Sequence, residues 1–277
     1  MRQALPASSE RRVCRLLGVS RWRPRPIRAG GCRKNVVDEH LAELIRFLIA
    51  RHATAGYRLL WALLRREHGV VVAKKTFYRI LKLKGWFVHQ RPKTPRPRAR
   101  GLVSRAAQSN QRWAMDVTHI PCGQDGWAHL AAVIDCHDRE VVGFEFALRG
   151  RAKEAERALE DACIRRFGTL RPRGPTPTVR SDNGLIFQSR RFRAACSDYR
   201  LRQEFIRPYT PEQNGLIERF FRTLKEECVW QHNFASFTDA RREILAWIHW
   251  YNSRCPHSAL GYLSPSEYRA QQEPKVA

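Results

Sequence analysis

Three acidic residues stand where solubility alone does not explain them. Asp116 falls in the middle of W-A-M-D-V-T-H-I-P (113–121), an alternating apolar run that reads as a strand. A charge in such a run is costly unless it is hydrogen-bonded or put to use. Asp182 closes T-V-R-S-D and opens S-D-N-G, and ligands of α/β sheets bind beyond strand ends of this kind. Glu218 lies in N-G-L-I-E-R-F-F-R-T-L-K, on the first turns of a long helix. Each also has a plainer reading. Asp116 would serve as a buried, hydrogen-bonded carboxylate, D-N-G as a turn, and Glu218 as a surface residue with Arg222 four positions on. Converging carboxylates repel one another, so an acidic triad implies a cation, and hard carboxylate oxygens suit Mg²⁺.

The elements that would carry them can be read from periodicity. Residues 113–121, 127–138 and 140–148 are three strands joined by short gaps, so they should pair antiparallel. Residues 152–167 form an amphipathic helix, and a Pro/Gly-rich loop leads to a fourth strand over 178–182. A helix near 189–199, a fifth strand over 202–208, a long helix from 212 to about 230 and another over about 238–253 follow. The order β-β-β-α-β-α-β-α predicts an α/β class: one mixed sheet of five strands with flanking helices. On the long helix Phe220, Phe221 and Leu224 are core positions, and Lys225 lies two turns past Glu218 on the same face. Asn183 and Asn214 read as loop-shaping, and His119 and His257, without metal-ligand spacing, as structural.

Upstream the texture differs. The chain carries 51 Lys and Arg against 26 Asp and Glu, a net charge of +25. Residues 1–112 hold 27 basic and 5 acidic residues, net +22, and the remainder only +3. Such a surface seeks a polyanion, normally nucleic acid. A helix capped by Ser8 or Ser9 is expected over 8–21, with a turn at Gly18, then a proline-broken linker over 22–37. Apolar residues at three- and four-residue steps predict helices over 38–51, 55–68 and 74–84, the last stopped by Gly85. Three helices ending in a basic one make a small helix-turn-helix unit over 38–88. Lys75, Arg79 and Lys82 share one face of the last helix and, with Lys74 beside them, are candidate DNA contacts, as are Arg222 and Lys225. Residues 89–112 form a basic, Pro/Arg-rich linker, 113–270 the catalytic core and 271–277 a tail.

At this point the motifs resemble a known family. D-V-T, S-D-N-G and N-G-x-x-E, with 35 residues between Asp182 and Glu218, are similar to the Asp-Asp-Glu transposases and retroviral integrases. The tail from Tyr251, with H-S-A-L-G-Y-L-S-P-S-E-Y, resembles the second-frame protein of frameshifting insertion sequences, as do S-E-R-R-V-C-R-L-L-G-V-S-R and G-Y-R-L-L-W-A-L-L-R. Cys255 stands where that pattern carries arginine, with Arg254 beside it. The resemblance implies an RNase H-like core preceded by a helix-turn-helix, acting in Mg²⁺-dependent (or Mn²⁺-dependent) cleavage and strand transfer at element ends. Two ions about 3.5–4 Å apart would activate the attacking oxygen and stabilise the leaving one. Asp116 would bridge both, Asp182 would hold one and Glu218 the other. Lys225 would contact DNA beside them, and no Ser or Tyr nucleophile is needed. Implied partners are duplex DNA of the element ends and target, further copies of the chain, and a first-frame protein, separate or fused.

Other classes fit less of the sequence. A catalytically silent DNA-binding regulator would need only the basic half, not an acidic set beside DNA. An RNase H-like nuclease without transfer activity would have little use for a helix-turn-helix. The eight cysteines include no C-x-x-C pair, which fits reduced thiols rather than structural zinc. No run of 18 apolar residues and no signal-peptide core occur, so the expected setting is bacterial cytoplasm, in association with DNA.

Overall fold

Three amphipathic helices lead the chain into a mixed sheet. In a computed structural model that describes residues 14–18, 37–88, 105–208 and 210–272, they are α1 (Glu39–Arg51), α2 (Tyr57–His68) and α3 (Lys74–Lys84). Their apolar stripes form a small core: Leu41, Ile45 and Leu48 from α1, Leu60, Leu63 and Leu64 from α2, Phe77, Ile80 and Leu81 from α3. Gly85 ends α3 at the expected place, its φ of 68° allowing the amides of Gly85 and Trp86 to turn back onto Lys82 and Leu81.

The chain divides into two compact units, Met1–Glu39 and His40–Ala277. In the first, residues 14–16 of the helix expected over 8–21 are helical, and Gly18 turns with φ 61°. The caps at Ser8 or Ser9, nearly all of the 22–37 linker and most of the 89–112 linker lie outside the described residues.

The second unit holds the sheet, with strand order β3-β2-β1-β4-β5. β1 (Arg112–Pro121), β2 (Trp127–Asp135) and β3 (Val141–Ala147) are antiparallel, while β4 (Thr178–Ser181) and β5 (Arg202–Phe205) run parallel to β1. Alternation along the strands sorts the apolar residues onto two faces. Ala114, Ile120, Leu130, Ala132 and Ile134 face α7 (Gly215–Glu227) and α8 (Phe237–Ser253). Trp113, Met115, Ala131, Val133 and Val179 face α4 (Ala152–Phe167) and α6 (Arg190–Asp198).

Several boundaries depart from expectation for local reasons. β2 stops at Asp135 rather than 138, because the Asp135 carboxylate accepts the amides of His137 and Asp138 and closes a turn that puts Arg139 at φ 63°. β5 ends at Phe205. The helix expected from 212 begins at Gly215, after a 3₁₀ turn over Pro211–Asn214, and ends at Glu227. A short α5 (Leu185–Gln188) precedes α6, and Ser189 caps the latter by accepting from the Phe192 amide. A last helix, α9 (Pro265–Gln272), was not foreseen. Its start is a capping box: Glu267 accepts from the Ser264 amide at 2.8 Å, and Ser264 Oγ accepts from the Glu267 amide at 3.4 Å.

Candidate active site

Asp116 lies two residues beyond Ala114 on β1, and Asp182 two residues beyond Arg180 on β4. Ala114 and Arg180 are paired neighbours in the parallel ladder. Side chains repeat every second residue, so both carboxylates leave adjacent strands on the face that α7 covers. Across from them α7 buries Phe220, Phe221 and Leu224, the expected core positions, and Ile217 with them, against that face. This packing sets Glu218 on the first turn and Lys225 on the last turn of the helix.

Each aspartate is fixed by one nearby amide. Asp116 Oδ1 accepts from Val117 N at 2.7 Å, and Asp182 Oδ1 accepts from Gly184 N at 3.0 Å. A Cβ at position 184 would stand 2.9 Å from that same Asp182 oxygen, so the third residue of D-N-G must be small for the carboxylate to hold its turn. Burial pushes the Asp116 carboxyl up to about 7; the Val117 amide opposes the shift, Asp182 and Glu218 add to it, and Lys225 works against it. Burial also raises Glu218, with a contribution from Glu212. The three carboxylates thus share one electrostatic field with one lysine. Among the described residues they do not yet form a closed set of metal ligands, and Glu218 remains exposed.

The donor set suits a divalent cation. Two aspartates from neighbouring strands and a glutamate from the covering helix offer only oxygen ligands, and repulsion from Asp182 and Glu218 adds to the burial that raises Asp116.

Other residues singled out in the sequence find clear places. Arg222 pairs with Glu226 at 2.8 Å, one turn on, and not with Glu218. Asn183 Nδ2 donates to the Ile206 carbonyl at 3.0 Å, and buried Asn214 reaches the Met115 carbonyl at 3.4 Å; both shape loops. His119 stacks edge-on with His129 across β1 and β2. His257 packs edge-on against Tyr251, and burial takes its pKa down to about 4. Lys74, Lys75, Arg79 and Lys82 are all exposed along α3, but the Lys74 ammonium lies against the rings of Trp61 and Tyr262.

Two supporting roles were not legible in the sequence, that of Arg180 and that of Asn252, which stands in the tail motif. Arg180, 1% exposed, pairs with Glu204 on β5 and donates to the Gln213 carbonyl just before α7. It thereby ties the strand that carries Asp182 to the start of the helix that carries Glu218. Its only sequence signal was an arginine inside an apolar strand. Asn252 exchanges two hydrogen bonds of 2.9 Å with the Val141 backbone and extends the β3 edge from α8.

Comparison with known proteins agrees with this geometry. Residues 106–211 and 199–265 each match an Integrase core domain family, and residues 37–94 match an HTH-like domain. The chain is 30% identical over 235 residues to transposase InsD of insertion element IS2A/D/F/H/I/K from Escherichia coli, covering 82% of this chain and 77% of InsD. InsD of IS2-9 from Escherichia coli strain K12 is similar to the same degree, with 76% of its length covered. Among solved structures, a chain of the simian T-cell lymphotropic virus intasome in complex with PP2A regulatory subunit B56 gamma shares the fold. The TM-score is 0.51 at 22% identity, over 85% of this chain and 76% of that one. The sheet with its flanking helices is thus the RNase H-like core of the integrases, with an HTH-like domain before it. By identity and by length covered, the chain belongs to the insertion-sequence transposases, polynucleotidyl transferases with an integrase core domain.

Proposed function

We propose that Asp116, Asp182 and Glu218 are the catalytic residues of this transposase and hold its divalent cations, two Mg²⁺ or Mn²⁺ ions. One observation supports this reading: Asp182 and Glu218 both act on the buried Asp116 carboxyl, Lys225 is the cation that opposes them there, and none of the three carboxylates is in ion-pair contact with a cation among the described residues. When bound, the ions would lower the pKa of the attacking hydroxyl and stabilise the departing oxygen. The chain's own residues set the stage. Val117 and Gly184 fix the two aspartates, and α7 brings Glu218 over them from the opposite side. Lys225, half-buried at the far end of the same helix face, is placed for the phosphate that enters this field.

The reaction is two in-line displacements at phosphorus. Water first releases a 3′-hydroxyl at an element end, and that hydroxyl then attacks a target phosphodiester. Each step breaks one P–O bond and forms another, so no covalent link to the protein is needed. The exposed stripe Lys75, Arg79 and Lys82 and the surface around Arg222 and Lys225 supply the contacts to duplex DNA. Joining two ends implies at least two copies, and a first-frame protein, separate or fused, completes the assembly. No helix among the described residues is long and apolar enough to cross a membrane.

The test is nicking and strand transfer on labelled element-end DNA with Mg²⁺ and the first-frame partner. Asp182→Asn and Glu218→Gln should each lose both activities and keep DNA binding. Tight binding without cleavage by the unaltered protein would instead identify a silent binder.

A further inference from the structure

Lys74 heads the basic helix α3, yet it points away from the use its neighbours suggest. Its Nζ lies 4.6 Å from the centre of the Trp61 ring and 4.5 Å from that of Tyr262, and donates to Tyr262 Oη at 3.2 Å. The two rings meet edge to face at 5.4 Å, and Trp61 Nε1 is held by the Val72 carbonyl at 2.8 Å. The Lys74 side chain is exposed, but its ammonium has two π faces and a phenol oxygen as partners within the protein.

Tyr262 belongs to the other end of the chain, 188 residues on. It sits at φ 67°, a strained setting for a tyrosine, which the turn enforces. The Tyr262 amide donates to the His257 carbonyl at 2.8 Å, and His257 N to the Leu263 carbonyl at 3.0 Å. Nearby, Arg66 on α2 donates to the Tyr262 carbonyl at 3.3 Å and to Glu267 of α9 at 2.6 Å. His52 stacks on Trp250 of α8 at 5.4 Å. All three contacts join the helical region to the C-terminal segment of the catalytic region, and all fall within the unit His40–Ala277.

We propose that Lys74 is a positioning residue and not a DNA contact. Clamped between Trp61 and Tyr262, it locks α3 to the C-terminal turn, so that Lys75, Arg79 and Lys82 present DNA to the carboxylate site in one fixed register. The last clause rests on the catalytic reading above; the clamp itself does not.

The experiment uses the full chain and the variants K74M, K75M, Y262A, Y262F and K74M/Y262A. Binding of a fluorescent duplex of arbitrary sequence is followed against KCl concentration. A lysine on phosphate contributes about 0.9 to the slope of log K against log salt. K75M should lose that amount and K74M should lose none; an equal loss in K74M overturns the proposal. Thermal midpoints supply a second arm. The double variant should fall by less than the sum of the two singles, because both substitutions break the same Lys74–Tyr262 contact. Simple addition of the two effects also overturns it, and Y262F, which keeps the ring, should fall between Y262A and the unaltered protein and serves where Y262A does not fold. On labelled element-end DNA with Mg²⁺, K74M and Y262A should scatter the cut positions by the same pattern. Cuts placed as in the unaltered protein would remove the register role. An unaltered protein that never cuts would sink the catalytic reading, while the salt and thermal arms still decide the clamp.

Discussion

Two acidic clusters sit in the catalytic region, and they are built in opposite ways. Asp135, Asp138 and Glu140 crowd into six residues from the end of β2 onward, closer in sequence than any pair of the proposed catalytic carboxylates. The fold gives each of them hydrogen-bond or ion-pair partners, although burial and neighbouring Asp138 still push the Asp135 carboxyl up to about 6. Asp135 accepts from the amides of Asn110, His137 and Asp138. Asp138 accepts from Ser109 and the Glu140 amide, and pairs with Arg166 at 3.0 Å. Arg166 also reaches Glu140 at 3.0 Å, and Arg269 of α9 joins Glu140 at 3.3 Å. This cluster staples the approach to β1, the β2–β3 turn, α4 and α9 together. Asp116, Asp182 and Glu218 lie far apart in sequence and meet only in the fold, with a single amide fixing each aspartate. The lesson is that negative charge answered by the protein's own groups is architecture, while charge left unanswered marks a place for a ligand.

That contrast can be broken in order of expected effect. The largest belongs to the unanswered cluster. Asp116→Asn should cut strand transfer by well over the roughly 100-fold that loss of a mere partner of a metal ligand reaches, with duplex affinity unchanged in a filter-binding assay. Next comes the answered cluster. Arg166, with its side chain 2% exposed, leaves buried Asp138 without its cation when replaced, and Glu140 with Arg269 alone. Arg166→Met should cost about 3–5 kcal/mol in urea unfolding, whereas Asp116→Asn should not destabilise the metal-free protein. Third, Mg²⁺ at a hundred times its Kd should stabilise the unaltered protein by about 2.7 kcal/mol. Calorimetric scans should find that gain missing in Asp116→Asn and Asp182→Asn. An equal gain in all three would place the ion elsewhere.

The smallest effect tests an answered acid at the surface. Glu267 is held at about 2, first by the hydrogen bond from Arg66 and further by Ser264. Its folded pKa lies below the ordinary glutamate value of about 4.3. Its contribution is therefore complete above that pH and is lost as pH falls toward 2. With both side chains partly exposed, the amount is about 0.5–1 kcal/mol. Glu267→Gln should flatten the acid limb of a stability–pH curve by that much, and an unchanged limb would show that the pair is fully screened.

The sequence by itself determined the element order apart from the short α5 and the last α9, the helix over 152–167 to the residue, α3 to the residue, and the three carboxylates with their 35-residue spacing. These follow from local rules: periodicity of apolar residues, glycine at a helix end, and residue types that strands seldom carry without cause. The ends of β2 and α7 were not legible, because a side-chain carboxylate and a 3₁₀ turn decided them. Nor could one-dimensional pattern tell Lys74 from Lys75. Both are lysines on the first turn of a basic helix, and only the arrival of Tyr262 from 188 residues away gives one of them an aromatic cage. Arg180 was silent for the same reason. Its partners come from β5 and from the turn before α7, so its role exists only once the parallel strands have paired. Residue type and spacing are written locally, but whether a charge is answered depends on which distant groups the fold brings within a few ångströms, where desolvation and Coulomb attraction become large.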